Sequence, residues 1–93
     1  MTNLDMAKLA AGKSSTLTPA VEDYLRALYK LGRRNLPGEP VTTSQMAACL
    51  DVRPASATAM LQKLAALEPP LVAYHKSHGA RLTAAGERTA LSI

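Results

Sequence analysis

Most of the side chains in this chain that could do chemistry are cations. Between Arg53 and Arg81 the basic residues are Arg53, Lys63, Lys76 and Arg81, with His75 and His78 beside them, against a single acid, Glu68. A positive face of this kind is the footprint expected of a chain whose partner is DNA. Catalytic groupings are missing. No Ser-His-Asp or Cys-His set has a recognisable frame, no glycine-rich phosphate loop is present, and no paired carboxylates flank a cleft-forming segment. Glu22 and Asp23 are adjacent, so on a helix they point in different directions. An enzyme is therefore not expected. His75 and His78 lack a cysteine or a third ligand at usable spacing, which favours solvated or phosphate-facing histidines over a metal site. The single cysteine, Cys49, rules out an internal disulfide and fits a reducing compartment. Its apolar neighbours predict a packed thiol.

Ninety-three residues suit one domain with a modest core. With no Phe or Trp and three Tyr, that core must be built from Leu, Val, Met and Ala. The formal charge of +4 is modest, so its placement says more than its size. No run approaches the length of a membrane span, and the N-terminus lacks the apolar stretch of a signal peptide. A cytoplasmic protein is expected, with no membrane partner.

The cations are set around one stretch, Val41 to Leu67, which reads as two short amphipathic helices joined by a tight turn. Thr42 is an N-cap, and Gln45 three residues on completes a capping box. Val41 and Met46 are spaced for a hydrophobic staple. Met46, Ala47 and Leu50 form the buried face, and Leu50-Asp51-Val52 makes the turn. The second helix begins at Pro54, where a missing N–H costs nothing. Ala57, Met60, Leu61 and Leu64 make its inward stripe. Its other side offers Ala55, Ser56, Ala59, Gln62, Lys63 and Ala66, small and uncharged near the start and basic further on. Such a face does not hold a phosphate-flanked groove away.

The rest of the chain is read around that motif. Residues 1–16 are weakly specified and are expected to form a flexible N-terminal arm; a basic arm lying on DNA, or a short helix through Leu9, ended by Gly12 and packing on a partner chain, are the alternatives. Thr18-Pro19 opens a helix whose core stripe is Val21, Leu25, Leu28 and Leu31, with Gly32 placed to end it. Tyr24 and Tyr29 are expected to pack within this helix's surroundings, not to serve as stacking platforms. Residues 35–40 are turn chemistry throughout. Pro69-Pro70 forces an extended exit from the motif. Residues 71–75 form a strand, 76–79 a turn and 80–82 a returning strand, and Thr83 caps a last helix. The fold expected for residues 17–93 is mainly α with a small β-hairpin: a winged helix-turn-helix with a three-helix core, a wing and a closing helix.

Three stretches, residues 17–29 (LTPAVEDYLRALY), 47–56 (AACLDVRPAS) and 79–86 (GARLTAAG), resemble the N-terminal DNA-binding domain of the diphtheria-toxin-repressor and manganese-transport-regulator family. The resemblance covers about residues 17–93, and its specific part is the opening helix motif. It implies a transcriptional repressor that binds a palindromic operator as a homodimer when loaded with Fe²⁺ or Mn²⁺. It also implies recognition by residues 54–63, with Arg53, Ala55, Ser56 and Ala59 facing bases. Arg53 departs from the small or polar capping residue common in relatives, and Pro69-Pro70 resembles a small insertion before the wing. Asp23 matches a metal-ligand position of the manganese-type branch, while Arg26 stands where that branch has a second acid. The family's remaining ligands and its dimerisation helices would follow Ile93. The chain is therefore expected to be an excised or truncated N-terminal domain. On that expectation it binds no metal tightly itself and pairs through segments beyond Ile93.

Sequence-specific binding of double-stranded DNA is the leading expectation. The candidate contacts are Arg53, Pro54, Ala55, Ser56, Thr58, Ala59, Gln62 and Lys63 on the second motif helix and Thr43 at the start of the first. Lys76, His78 and Arg81 on the wing complete the set. Asp23 is the candidate metal residue. Two other readings stay open: a winged helix that binds protein, and a regulator that answers to a small-molecule effector.

Overall fold

The computed structural model describes residues 17–93. The expected arm or short helix at residues 1–16 lies outside them. Four helices and one hairpin follow in the order α1 (Pro19–Arg34), α2 (Thr43–Leu50), α3 (Pro54–Ala65), β1 (Val72–His75), β2 (Gly79–Leu82) and α4 (Ala84–Leu91). This is a winged helix, as the hydrophobic periodicity and turn residues predict.

Each helix start is set by a local rule. Thr18 caps α1, its Oγ1 accepting from the Val21 N–H at 3.2 Å, and Pro19 follows at the first helical position. At α2 both halves of the capping box form: the Gln45 N–H donates to Thr42 Oγ1 and the Thr42 N–H donates to Gln45 Oε1, each at 3.0 Å. Val41 and Met46, the staple pair, are both buried. The turn between α2 and α3 is closed by Asp51 in the left-handed region (φ 56°, ψ 49°) and by the Val52 N–H donating to the Ala47 carbonyl. Asp tolerates that region better than most side chains. Arg53 occupies the N-cap of α3 and makes no capping bond with its side chain. Thr83 caps α4 and also donates its hydroxyl to the Pro70 carbonyl at 2.7 Å.

One core joins all these pieces. Val21, Leu25 and Leu28 of α1 meet Val41, Met46, Leu61, Leu64 and Val72. Tyr24 is buried with them, and burial pushes its phenol above the ordinary range, so it stays neutral. α1 packs on α2, α4 and β2, whereas α3 packs on α2 and β1. The strands pair antiparallel, Val72 opposite Leu82 and Tyr74 opposite Ala80. Side chains alternate between sheet faces, so these residues line the core side, and Ala73 and Arg81 point away from it.

Four expectations need correction. α1 does not stop at Gly32 but runs on to Arg34 and is capped by Asn35, whose N–H donates to the Leu31 carbonyl. Cys49 is exposed, because α2 buries only Met46 and Ala47 fully. Its neighbours are apolar in sequence but lie on another side of the helix. Leu50 and Met60 are half-buried at the edge of the core instead of inside it. Strand β1 begins at Val72, because the Leu71 N–H is still held by the Leu64 carbonyl. Pro69 follows a cis bond from Glu68.

Two glycines in helices make opposite demands. At Gly86 a Cβ would come within 1.9 Å of the Leu71 carbonyl oxygen, so α4 sits flush on the chain leading into the hairpin only because no side chain intervenes. At Gly32 a Cβ would meet nothing within 4 Å. Gly86→Ala should therefore cost about 1–3 kcal/mol through overpacking. Gly32→Ala should stabilise by about 0.5–1 kcal/mol, because a helix interior favours Ala over Gly. Urea denaturation of the two variants checks both signs, and shifts in the same direction would contradict the placement of one of them.

Candidate nucleic-acid interface

The side of α3 away from the core is open. Arg53, Pro54, Ala55, Ser56, Ala59, Gln62 and Lys63 are all exposed, while Thr58 is half-buried. The inward positions Ala57, Leu61 and Leu64 are fully covered. The exposed side carries no carboxylate from Arg53 to Ala65, and its bulk rises only at Gln62 and Lys63. A helix with such a surface fits a major groove, about 12 Å wide, without bringing an acid near the phosphates. Its first turn is short of side-chain caps, so those backbone donors remain free for an anion.

Beside α3 stands the hairpin, with Lys76, Ser77 and His78 exposed at its tip. The tip is not loose. The His75 and His78 rings stack with centroids 4.4 Å apart, and the Ser77 N–H donates to His75 Nδ1 at 3.2 Å. The histidines thus shape the wing tip. Among the described residues, no group of three or more His, Cys, Asp or Glu is placed to hold a metal ion. Asp23 is exposed on α1 with no such partners, so the described residues do not assemble a metal centre.

What fixes the wing relative to the motif is a backbone clamp. Val41 and Ala80 exchange two hydrogen bonds, each 2.8 Å, just before α2 begins. Gly79 makes room for it: its φ is +117°, and a Cβ there would fall 2.3 Å from the Val41 carbonyl oxygen. Arg81, an expected phosphate contact, donates from its guanidinium to the Gly38 carbonyl. It ties the wing to the α1–α2 loop and keeps its remaining N–H groups at the surface.

A second tie was not visible in the residue pattern. Asn35 and Gln45 exchange paired amide hydrogen bonds of 3.2 and 3.1 Å, and Asn35 also donates to the Pro40 carbonyl at 3.2 Å. Gln45 thereby fixes the start of α2 against the end of α1 while also completing the capping box. The capping role is legible from spacing; the contact with Asn35, ten residues away, is not. Between this loop and the wing lies an open groove of about 820 Å³, bordered by Pro40, Thr42, Gln45, His75, His78 and Arg81. Glu39 lines it too, but its Oε1 accepts from the Leu36 N–H. Thr43 is half-buried at the start of α2 and does not border that groove.

A helix open along one side, a turn that fixes it to a second helix, and a basic hairpin clamped beside them define a winged helix-turn-helix DNA-binding domain. A family model described as iron dependent repressor, N-terminal DNA binding domain, matches residues 16–80. The match spans more than half of the chain, and the chain belongs to that family of DNA-binding regulatory domains, which is not a family of enzymes. No curated protein matches the sequence. Among the described residues no helix is long and apolar enough to cross a membrane.

The two wing cations should separate in their effects. Lys76→Ala should weaken every duplex alike and reduce the salt slope by about 0.9, the loss of one phosphate contact, with no change in thermal stability. Arg81→Ala should also lower stability by roughly 1 kcal/mol, because it releases the Gly38 carbonyl. Fluorescence anisotropy across salt concentrations and thermal melting measure the two effects. A change in sequence preference alone from Lys76→Ala would mean that the wing tip does not rest on the DNA backbone.

Proposed function

We propose that this chain reads double-stranded DNA with α3 and holds the backbone with its wing, as the DNA-binding part of a metal-responsive repressor. The open, acid-free side of α3 next to a cationic hairpin carries the reading. Ser56 and the methyl groups of Ala55 and Ala59 meet base edges, with Pro54 and Thr58 shaping the approach. Arg53 and Gln62 are the side chains able to make a bidentate base contact. Lys63, Lys76 and the free edge of Arg81 take phosphates, with Thr43 and His78 at the margins.

Base reading by one copy is shallow. Each good bidentate contact gives roughly 1–3 kcal/mol of discrimination. Arg53 and Gln62 are nine residues apart, roughly 13 Å along the helix, so they cannot serve the same base pair. Two copies on a palindrome supply what one lacks, which supports a dimeric, cytoplasmic repressor acting on a symmetric operator. Iron or manganese is the effector the family implies. Asp23 is the candidate ligand, and it would need several more oxygen or nitrogen donors brought to it from beyond the described residues.

Ser56→Glu tests the docking face. The variant should lose binding to a duplex selected from a random pool while melting like the parent, because an exposed carboxylate meets the phosphate-flanked groove and not the core. Unimpaired binding would remove α3 as the reading helix. Salt provides the second check: affinity should fall with a slope of about −0.9 per neutralised phosphate, and a flat response would point to a protein partner instead.

A further inference from the structure

A groove of about 430 Å³ opens between α4 and the chain that links α3 to β1. Leu17, Leu67, Pro69, Leu71 and Ala85 form its apolar walls. Leu17, Leu67 and Ala85 pack against the core yet stay half-buried. The polar groups of the lining are already engaged. Thr89 donates its hydroxyl to the Ala85 carbonyl at 2.9 Å, and the Ser92 hydroxyl is shared between the carbonyls of Arg88 and Thr89. The Leu71 N–H is held by the Leu64 carbonyl, and Pro69 has no N–H to give. Glu68 and Arg88, both exposed, are the charges of the lining and are opposite in sign. Such a groove offers a polar ligand little to bond and a phosphate no net attraction. It suits an apolar occupant.

The place where the described chain starts points to that occupant. Leu17 is its first residue and itself lines the groove, so residues 1–16 join the domain at the groove's wall. Their sequence, MTNLDMAKLAAGKSST, carries large apolar side chains at Leu4, Met6 and Leu9. Met6, Leu9 and Ala10 stand at i, i+3 and i+4, the spacing of an apolar helix stripe. Asp5 and Lys8 are opposite in sign to Arg88 and Glu68. Residues 12–16 give a link of about 12 Å, so reach is no obstacle. A segment tied this close acts at a millimolar effective concentration, which a second copy in dilute solution does not match.

We infer that the groove is a docking site for the chain's own residues 1–16. Met6 and Leu9 seat against Leu67, Leu71 and Ala85, and Asp5 and Lys8 come next to Arg88 and Glu68. The segment then closes the apolar edge where α4 meets the chain leading into the hairpin. This inference does not depend on the DNA reading proposed for α3.

The test uses the whole 93-residue chain, followed by amide-resolved NMR and by thermal melting. Met6→Ser with Leu9→Ser should shift the amide resonances of Leu67, Ala85 and Thr89 and leave those of α3 and the wing in place. The same pair should lower the melting temperature by about 4–8 °C. Ala85→Glu puts a carboxylate in the groove and should expel the segment. On that background the two serine substitutions should change the melting temperature by less than about 2 °C, because sites in contact are not additive. Thr89→Glu is the second blocking variant if Ala85→Glu does not fold. The serine substitutions lie outside the core, so their readout stands in either case. The inference is overturned if they leave the groove resonances and the melting temperature unchanged, or if they shift resonances elsewhere in the domain instead. It is overturned as well if their effect disappears on dilution, which would assign the groove to a second copy. Full additivity with a blocking variant also overturns it.

Discussion

The pair of hydrogen bonds between Val41 and Ala80 is what makes a DNA-reading surface out of otherwise separate pieces. Val41 is the last residue before the cap of α2, and Ala80 is the second residue of the returning strand. Joining them sets the hairpin against the start of the helix-turn-helix at a fixed distance. Gly79 permits the approach, since any side chain there would meet the Val41 carbonyl. From this seam the rest follows. Thr42 and Gln45 start α2, Asp51 turns the chain, and Pro54 starts α3 with its open side next to the wing. A register slip in the hairpin would exchange core-side and outward residues and undo this placement at once.

Polar ties around the seam divide their work. The Asn35–Gln45 amide pair locks the end of α1 to the start of α2, and Arg81 fastens the wing to the intervening loop at Gly38. Each lies at the surface or only partly buried, so each contributes modestly to stability. Their larger effect is on geometry. Contacts to phosphates and base edges act over about 3 Å, and a wing free to swing would have to be ordered on binding.

Much of this was legible in the residues because local rules and burial agreed. The caps at Thr18, Thr42 and Thr83, the proline starts at Pro19 and Pro54, the stripe of α1 and, Met60 aside, that of α3 each followed from spacing alone. The misses have a common cause. Gly32 has the composition of a helix stop, but α1 is held by its packing and by the Asn35 cap, and tertiary contacts outweigh the local preference. Cys49 was judged by its sequence neighbours, whereas burial on an eight-residue helix depends on which side faces the core. Arg81 and Gln45 make their contacts with residues far along the chain or across a loop, which no periodicity reveals.

The charge distribution places a limit on how this domain achieves selectivity. On the reading proposed for α3, its open side carries the small Ala55, Ser56 and Ala59 before Gln62 and Lys63, so sequence would enter through close approach and shape more than through a dense set of hydrogen bonds. Two bidentate contacts amount to roughly 2–6 kcal/mol at best, the lower part of the roughly 4–10 kcal/mol that separates specific from non-specific binding. Cations on the wing would raise affinity for all DNA and leave that difference unchanged. On that reading, a domain rich in sequence-independent contacts and poor in base contacts would gain specificity from pairing with a second copy at a fixed half-site spacing. The rigidity of the Val41–Ala80 seam matters for that reason, because spacing can discriminate only if each reading unit presents the same surface every time.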